Sequence, residues 1–199
     1  MRKVVREYEV YSYQELEEEA KERARQTISQ SIVEMNFDYL EEDLLTILEE
    51  DYDLKESNVD LHYSLSYCQG DGLSFDCKDL LESKYFKNKM YENLSIGEKI
   101  SLSKMLSKGE LSLFTKRSGN HLYQYSLHSD VQAITNFYHW GKNKEALVDK
   151  ILHKLGKVYM EICSRLEKIG YERYNVEEKE IEEYIDAYDI EFCKTGHIF

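Results

Sequence analysis

Proline is missing from all 199 residues. Because proline fixes φ and removes a backbone donor, its absence excludes built-in helix kinks and fits long, uninterrupted elements. No apolar run reaches the roughly 18 residues that a membrane helix needs, and no basic-then-apolar leader opens the chain, so a cytoplasmic protein without membrane contact is expected. Cysteine is scarce: Cys68, Cys77, Cys163 and Cys193 stand apart with no Cys-x-x-Cys pair, which speaks for reduced thiols rather than a disulfide framework. Cys68 and Cys77 lie near His62 but lack a second ligand pair, so no metal is assigned. The phosphate loop Gly-x-x-x-x-Gly-Lys-[Ser/Thr], the Gly-x-Ser-x-Gly elbow and His-Glu-x-x-His are all missing. No catalytic residue and no cofactor is therefore assigned.

Bases are outnumbered 26 to 39, and unevenly. Residues 1–60 hold 18 acids and 7 bases, residues 61–170 hold 12 and 16, and residues 171–199 hold 9 and 3. An acidic frame thus encloses a mildly basic middle. Solvated helix faces account for such clusters in most soluble proteins. The alternative is a negative surface shaped for a basic site that normally receives nucleic acid, with Glu41, Glu42 and Asp43, and Glu178, Glu182 and Glu183, as candidate contacts. Like-charge repulsion disfavours direct binding of these faces to nucleic acid.

A hydrophobic content of 42% over this length supports one core, read as a single domain over 1–199 with a helical, lysine-rich insertion at 79–108. Val4 to Tyr11 alternates as a strand, and Ser12-Tyr-Gln-Glu15 reads as a capping box opening a helix through Leu16, Ala20, Ala24 and Ile28. Leu40, Leu44, Ile47 and Leu48 mark a second helix. Residues 59–67 alternate as a strand, and Leu73 to Cys77 returns as its hairpin partner. Ser95-Ile-Gly-Glu98 is another capping box, and Leu111–Lys116 with Leu122–Val131 reads as a second hairpin. Leu147, Ile151, Leu155, Val158, Ile162, Leu166 and Ile169 predict the longest helix, closed by Gly170 as a cap. Ile181, Tyr184, Ile185 and Tyr188 predict the last one. This order predicts an α+β fold: an antiparallel sheet of about four to five strands with helices packed on one face.

The most distinctive feature is the Gln69-Gly70-Asp71-Gly72 turn between the strands of the first hairpin, a candidate ligand or structural turn whose glycines permit positive φ. The ordered set of Leu16, Ala20 and Ala24, then Tyr67 to Phe75, then Leu166 to Tyr171 and Ile190 to Gly196, resembles an uncharacterised family of small bacteriophage and mobile-element proteins. That family often carries a Tyr-x-His pair after its middle region, where this chain has Tyr123-Gln-Tyr125 with His121 and His128 displaced. The resemblance implies a phage or mobile-element origin and a bacterial host cytosol; it implies no activity.

The function expected on these grounds is that of an anti-CRISPR-like inhibitor, which binds a host nucleic-acid-handling defence effector and blocks it. Loop aromatics such as Tyr138 and Trp140 suit a protein interface, and homodimerisation is left open as well. Two alternatives stay open. One is a small enzyme or ligand sensor around Gln69 to Gly72, drawing on Asp71, His62, Cys68, His121, His128 or Asp130; the other is a nucleic-acid binder using Lys84, Lys87, Lys89, Lys116 and Arg117.

Overall fold

The computed structural model describes residues 7–67, 70–117, 129–135 and 141–199. The chain forms two compact units, one of Met1–Tyr39 with Glu172–Phe199 and the other of Leu40–Tyr171.

In the larger unit the three- and four-residue spacing of Leu147, Ile151, Leu155, Tyr159, Ile162 and Leu166 becomes the buried stripe of a 31-residue helix, α5 (Lys142–Glu172). Gly170, expected as its cap, instead lies buried within it, where an added Cβ would collide with the Leu65 side chain. Its lack of a side chain serves close packing rather than helix termination.

Four strands form one antiparallel sheet in chain order: β1 (Val59–Ser64), β2 (Gly72–Cys77), β3 (Leu111–Arg117) and β4 (Ser129–Thr135). This is the expected α+β architecture. Helix α2 (Leu40–Tyr52) precedes β1, while α3 (Lys84–Tyr91) and α4 (Ile96–Ser107) fill the connection between β2 and β3. Alternation divides the sheet into two faces. Leu73, Phe75, Cys77, Leu113 and Thr115 are buried on one, whereas Asp60, Ser112, Lys116 and Asp130 are exposed on the other. Strand β1 ends at Ser64, short of the expected Tyr67, because Tyr67 turns to a left-handed φ of 54°. Strand β4 is described over Ser129–Thr135 and runs past the expected end at Val131, while the predicted stretch 122–128 lies outside the described residues.

Strands β2 and β3 share a single register pair, Cys77 with Thr115. Beyond it, side chains replace the missing ladder. The Thr115 hydroxyl donates to the Phe75 carbonyl at 2.9 Å and accepts from the Cys77 N–H at 2.6 Å. The Tyr159 hydroxyl of α5 accepts from the Phe75 N–H at 3.0 Å and donates to the Phe75 carbonyl at 3.1 Å. A buried backbone pair without partners would cost a few kcal/mol, so these hydroxyls are structural necessities.

In the smaller unit, α1 (Glu18–Asp38) and α6 (Glu178–Ala187) enclose a core that includes Ala24, Ile28, Ile32, Ile181, Ile185 and Phe192. The Ser12–Glu15 capping box closes a single 3-10 turn, and α1 opens at Glu18, three residues past the end of that box. Among residues 7–11 only Tyr11 pairs as a strand: it exchanges two 2.9 Å backbone hydrogen bonds with Phe192, which in turn bridges Ile198. Gly196, at φ 85°, lets this tail lie on α1, since a Cβ there would run into the Ala20 carbonyl.

Two outcomes test this account. Tyr159→Phe, which keeps the ring and strands the Phe75 N–H, should lower unfolding free energy by about 1–3 kcal/mol in chemical denaturation. Glu98 accepts from Lys150 at 2.7 Å and from the Ser95 N–H at 2.7 Å, and these contacts, Lys150 first, pull its pKa from 4.5 down to about 2. A depressed carboxylate contributes stability that is present above its unfolded pKa and lost as pH falls through the folded one. Thermal midpoints should therefore drop between about pH 4.5 and pH 2, and the drop should be smaller in Lys150→Met.

Candidate functional site

The glycine turn is organised around one carboxylate. Asp71 accepts from the Ser64 hydroxyl at 3.0 Å, the Ser66 N–H at 2.6 Å and the Tyr171 hydroxyl of α5 at 2.9 Å. Tyr171 also lays its ring against Tyr67, with centroids 4.7 Å apart. Burial, then the bond to Asp71, pushes the Tyr171 phenol well above its ordinary range, so it remains a donor at neutral pH. Gly70 takes φ 112°, a conformation that glycine permits, and Gly72 is the first residue of β2. Gln69 and Cys68 lie outside the described residues. With three donors on its carboxylate, Asp71 holds the hairpin to α5.

The open face of the sheet gathers the remaining titratable candidates. His62 Nε2 lies 3.5 Å from Asp76 and 3.9 Å from Asp60. Opposite His62 in register is Ser74, 1% exposed, whose hydroxyl has no hydrogen-bond partner among the described residues. The serine–histidine hydrogen bond that a nucleophilic relay requires is therefore not formed. No group of three or more His, Cys, Asp or Glu side chains suited to a metal occurs among the described residues. Asp130 sits on β4 opposite Lys116, and His121 and His128 lie outside the described residues.

The acidic candidates separate by what they touch. Glu41, Glu42 and Asp43 occupy the first turn of α2, where the helix dipole favours negative charge. Glu178 bonds Arg25 Nε at 2.9 Å and accepts from the Tyr13 hydroxyl at 3.3 Å, so it anchors α6 to α1. Glu183 pairs with Lys179 one turn earlier at 3.1 Å. Glu182 does neither: it lines a cleft of about 560 Å³ in the smaller unit, together with Asp186, Asp189 and Glu191. None of these four carboxylates pairs with a cation among the described residues. The floor is apolar and aromatic, from Tyr11, Tyr13, Ile185 and Ile190. Tyr138 and Trp140 lie outside the described residues.

Sequence reasoning singled out Glu182 but missed the rest of this wall. Asp186 and Asp189 fall at the C-terminal end of α6, where helix carbonyls already concentrate negative potential and the last turn holds no base. Asp189 moreover adopts a left-handed φ of 52°. Acids at a helix carboxy terminus were the available signal. The basic middle segment, by contrast, is partly neutralised: Lys89 pairs with Glu92 and Lys144 with Glu110 inside it, and Arg165 pairs with Asp51 of the acidic first segment.

The turn yields its own test. Asp71→Asn should cost about 1–3 kcal/mol of stability, because one charged acceptor of three hydrogen bonds is lost. Gly70→Ala should cost about 1 kcal/mol and Gly72→Ala less, since only Gly70 needs positive φ. Equal melting temperatures for all three variants and the parent would reject the structural role.

No protein-family model, no curated protein and no solved structure matches the chain. What it can do follows from the chemistry of its own surfaces, among which the cleft gathers four carboxylates that pair with no cation among the described residues.

Proposed function

We propose that the protein acts by binding: it is a phage or mobile-element accessory protein that occupies a basic site on a host nucleic-acid-handling defence effector and blocks it. The observation that carries this reading is the wall of Glu182, Asp186, Asp189 and Glu191, four carboxylates around one cleft with no internal cation among the described residues. Gathering like charges at the negative end of a helix is unfavourable for the free protein, and a basic partner relieves it. The smaller unit holds 18 acids and 9 bases, the larger 21 and 17, so the negative field is densest where the cleft lies. Phosphate is repelled by that field, which favours a protein partner over nucleic acid. The phage setting comes from the family resemblance of the glycine turn and its flanking elements.

Binding of this kind weakens as salt rises, because exposed charges are screened within about 8 Å at physiological ionic strength. Replacing Glu182, Asp186 and Asp189 together by their amides should reduce affinity for the captured host effector roughly tenfold, at about 0.5 kcal/mol per exposed charge, mainly through a slower on-rate. Glu178→Gln should instead lower stability, since Glu178 anchors α6 to α1. The measurement is surface plasmon resonance against a partner recovered from host lysate, with the effector's own nucleic acid as competitor. A partner held equally tightly by the triple variant, or in excess nucleic acid, would reject the reading.

A further inference from the structure

Resting on that binding reading, we infer that the occupant of the cleft is an extended, lysine- or arginine-bearing chain segment that adds as a strand beside Val10 and seats a basic side chain between the carboxylates. The hydrogen-bond pattern at Tyr11 supplies the edge. Tyr11 exchanges both its backbone bonds with Phe192. In an antiparallel ladder successive residues alternate the side to which their N–H and C=O point, so those of Val10 face away from Phe192, and they have no backbone partner among the described residues. Val10 itself lines the cleft and is 38% exposed. Two residues earlier Tyr8, the next position to point the same way, is also exposed and rests its ring against Phe199. An unpaired edge next to exposed apolar side chains is a template for another strand.

Charge decides which strand. A second copy of this chain would bring its own excess of acids to the same wall, and repulsion opposes it. A segment with alternating basic and apolar residues satisfies both requirements: its backbone pairs with Val10, and the side chains on one face meet Asp186, Asp189 and Glu191. Tyr11 and Tyr13 add aromatic surface against which a guanidinium stem can lie. The strand direction and the face of the basic residues together fix which amides point at Val10.

The test uses the full-length protein and fluorescent decapeptides of alternating arginine and valine, read by anisotropy. Three further peptides carry glutamate for arginine, N-methyl groups on the arginine amides, or N-methyl groups on the valine amides. We expect the parent peptide to bind and the glutamate peptide to fail. One methylated set, and only one, should lose at least tenfold in affinity, and the Asp186→Asn, Asp189→Asn double variant should lose a comparable factor for the parent. Equal tolerance of both methylated sets overturns strand addition and leaves side-chain capture alone. If the parent peptide does not bind while the host effector is still held in a carboxylate-dependent way, the occupant is a folded basic surface: this inference fails and the binding reading stands. If neither peptide nor effector depends on the carboxylates, both fall.

Discussion

The backbone of Phe75 is the point on which the larger unit depends. Its N–H and carbonyl face a gap where β2 and β3 have drawn apart, and a sheet cannot bury such groups without partners. Tyr159 closes the gap from above with a single hydroxyl that both accepts and donates, and Thr115 closes it from the side. The strand is thereby tied to α5 by hydrogen bonds as well as by ring packing, with the Phe75 and Tyr159 centroids 4.7 Å apart. Two cysteines border this node. Burial raises the Cys77 thiol to about 11 and the Cys163 thiol to about 12, which keeps both protonated and unreactive at neutral pH.

A second tyrosine repeats the device. Tyr171 lies twelve residues beyond Tyr159 on the same helix, roughly 18 Å along its axis at 1.5 Å per residue, and its hydroxyl reaches Asp71 just before β2 begins. Helix α5 therefore grips β2 at the glycine turn and again at Phe75. The abundance of tyrosine, 17 residues, acquires a meaning it lacked as composition. At Tyr159 a phenol supplies core volume and hydrogen bonds together, and at Tyr171 a half-buried ring packs on Tyr67 while its hydroxyl holds Asp71, neither of which phenylalanine can do in full.

Which of these features were legible beforehand follows from the range of the forces involved. Periodicity and caps are local, so α5, α6 and the Ser95–Glu98 box could be read directly, as could the pairing of β1 with β2 across a glycine turn. Gly170 was misread because glycine near the end of an apolar stripe has two uses, and only the approach of Leu65 distinguishes close packing from a cap. The Ser12–Glu15 box was real in its chemistry, yet it closes a turn whose exit at Leu16 is extended, with φ −70° and ψ 146°. The site was least legible. Glu178, Glu182 and Glu183 look alike in sequence, but Arg25 lies 153 residues from Glu178, and nothing local says which of the three it will take.

That sorting of the acids is itself informative. Three carboxylates show what this protein does when charge serves the fold: Glu98 holds Lys150, Glu110 holds Lys144 with its own side chain only 8% exposed, and Glu15 caps Ser12. Bases are available, since the chain has 26 of them, and the long helix alone places Lys144, Lys150 and Arg165 against acids of other elements. The cleft wall departs from this habit. Asp189 combines a negative charge, a left-handed backbone and a position just past the end of α6, where asparagine or glycine would relieve the electrostatic burden or the steric one. Local conflicts of this kind are rare where selection acts on folding alone, because each costs stability without return. On the binding reading proposed above, a basic partner would supply the cation that Asp189 lacks among the described residues, whereas Asp53, equally left-handed at φ 54° just past α2, spends its carboxylate on the Lys84 N–H at 2.8 Å.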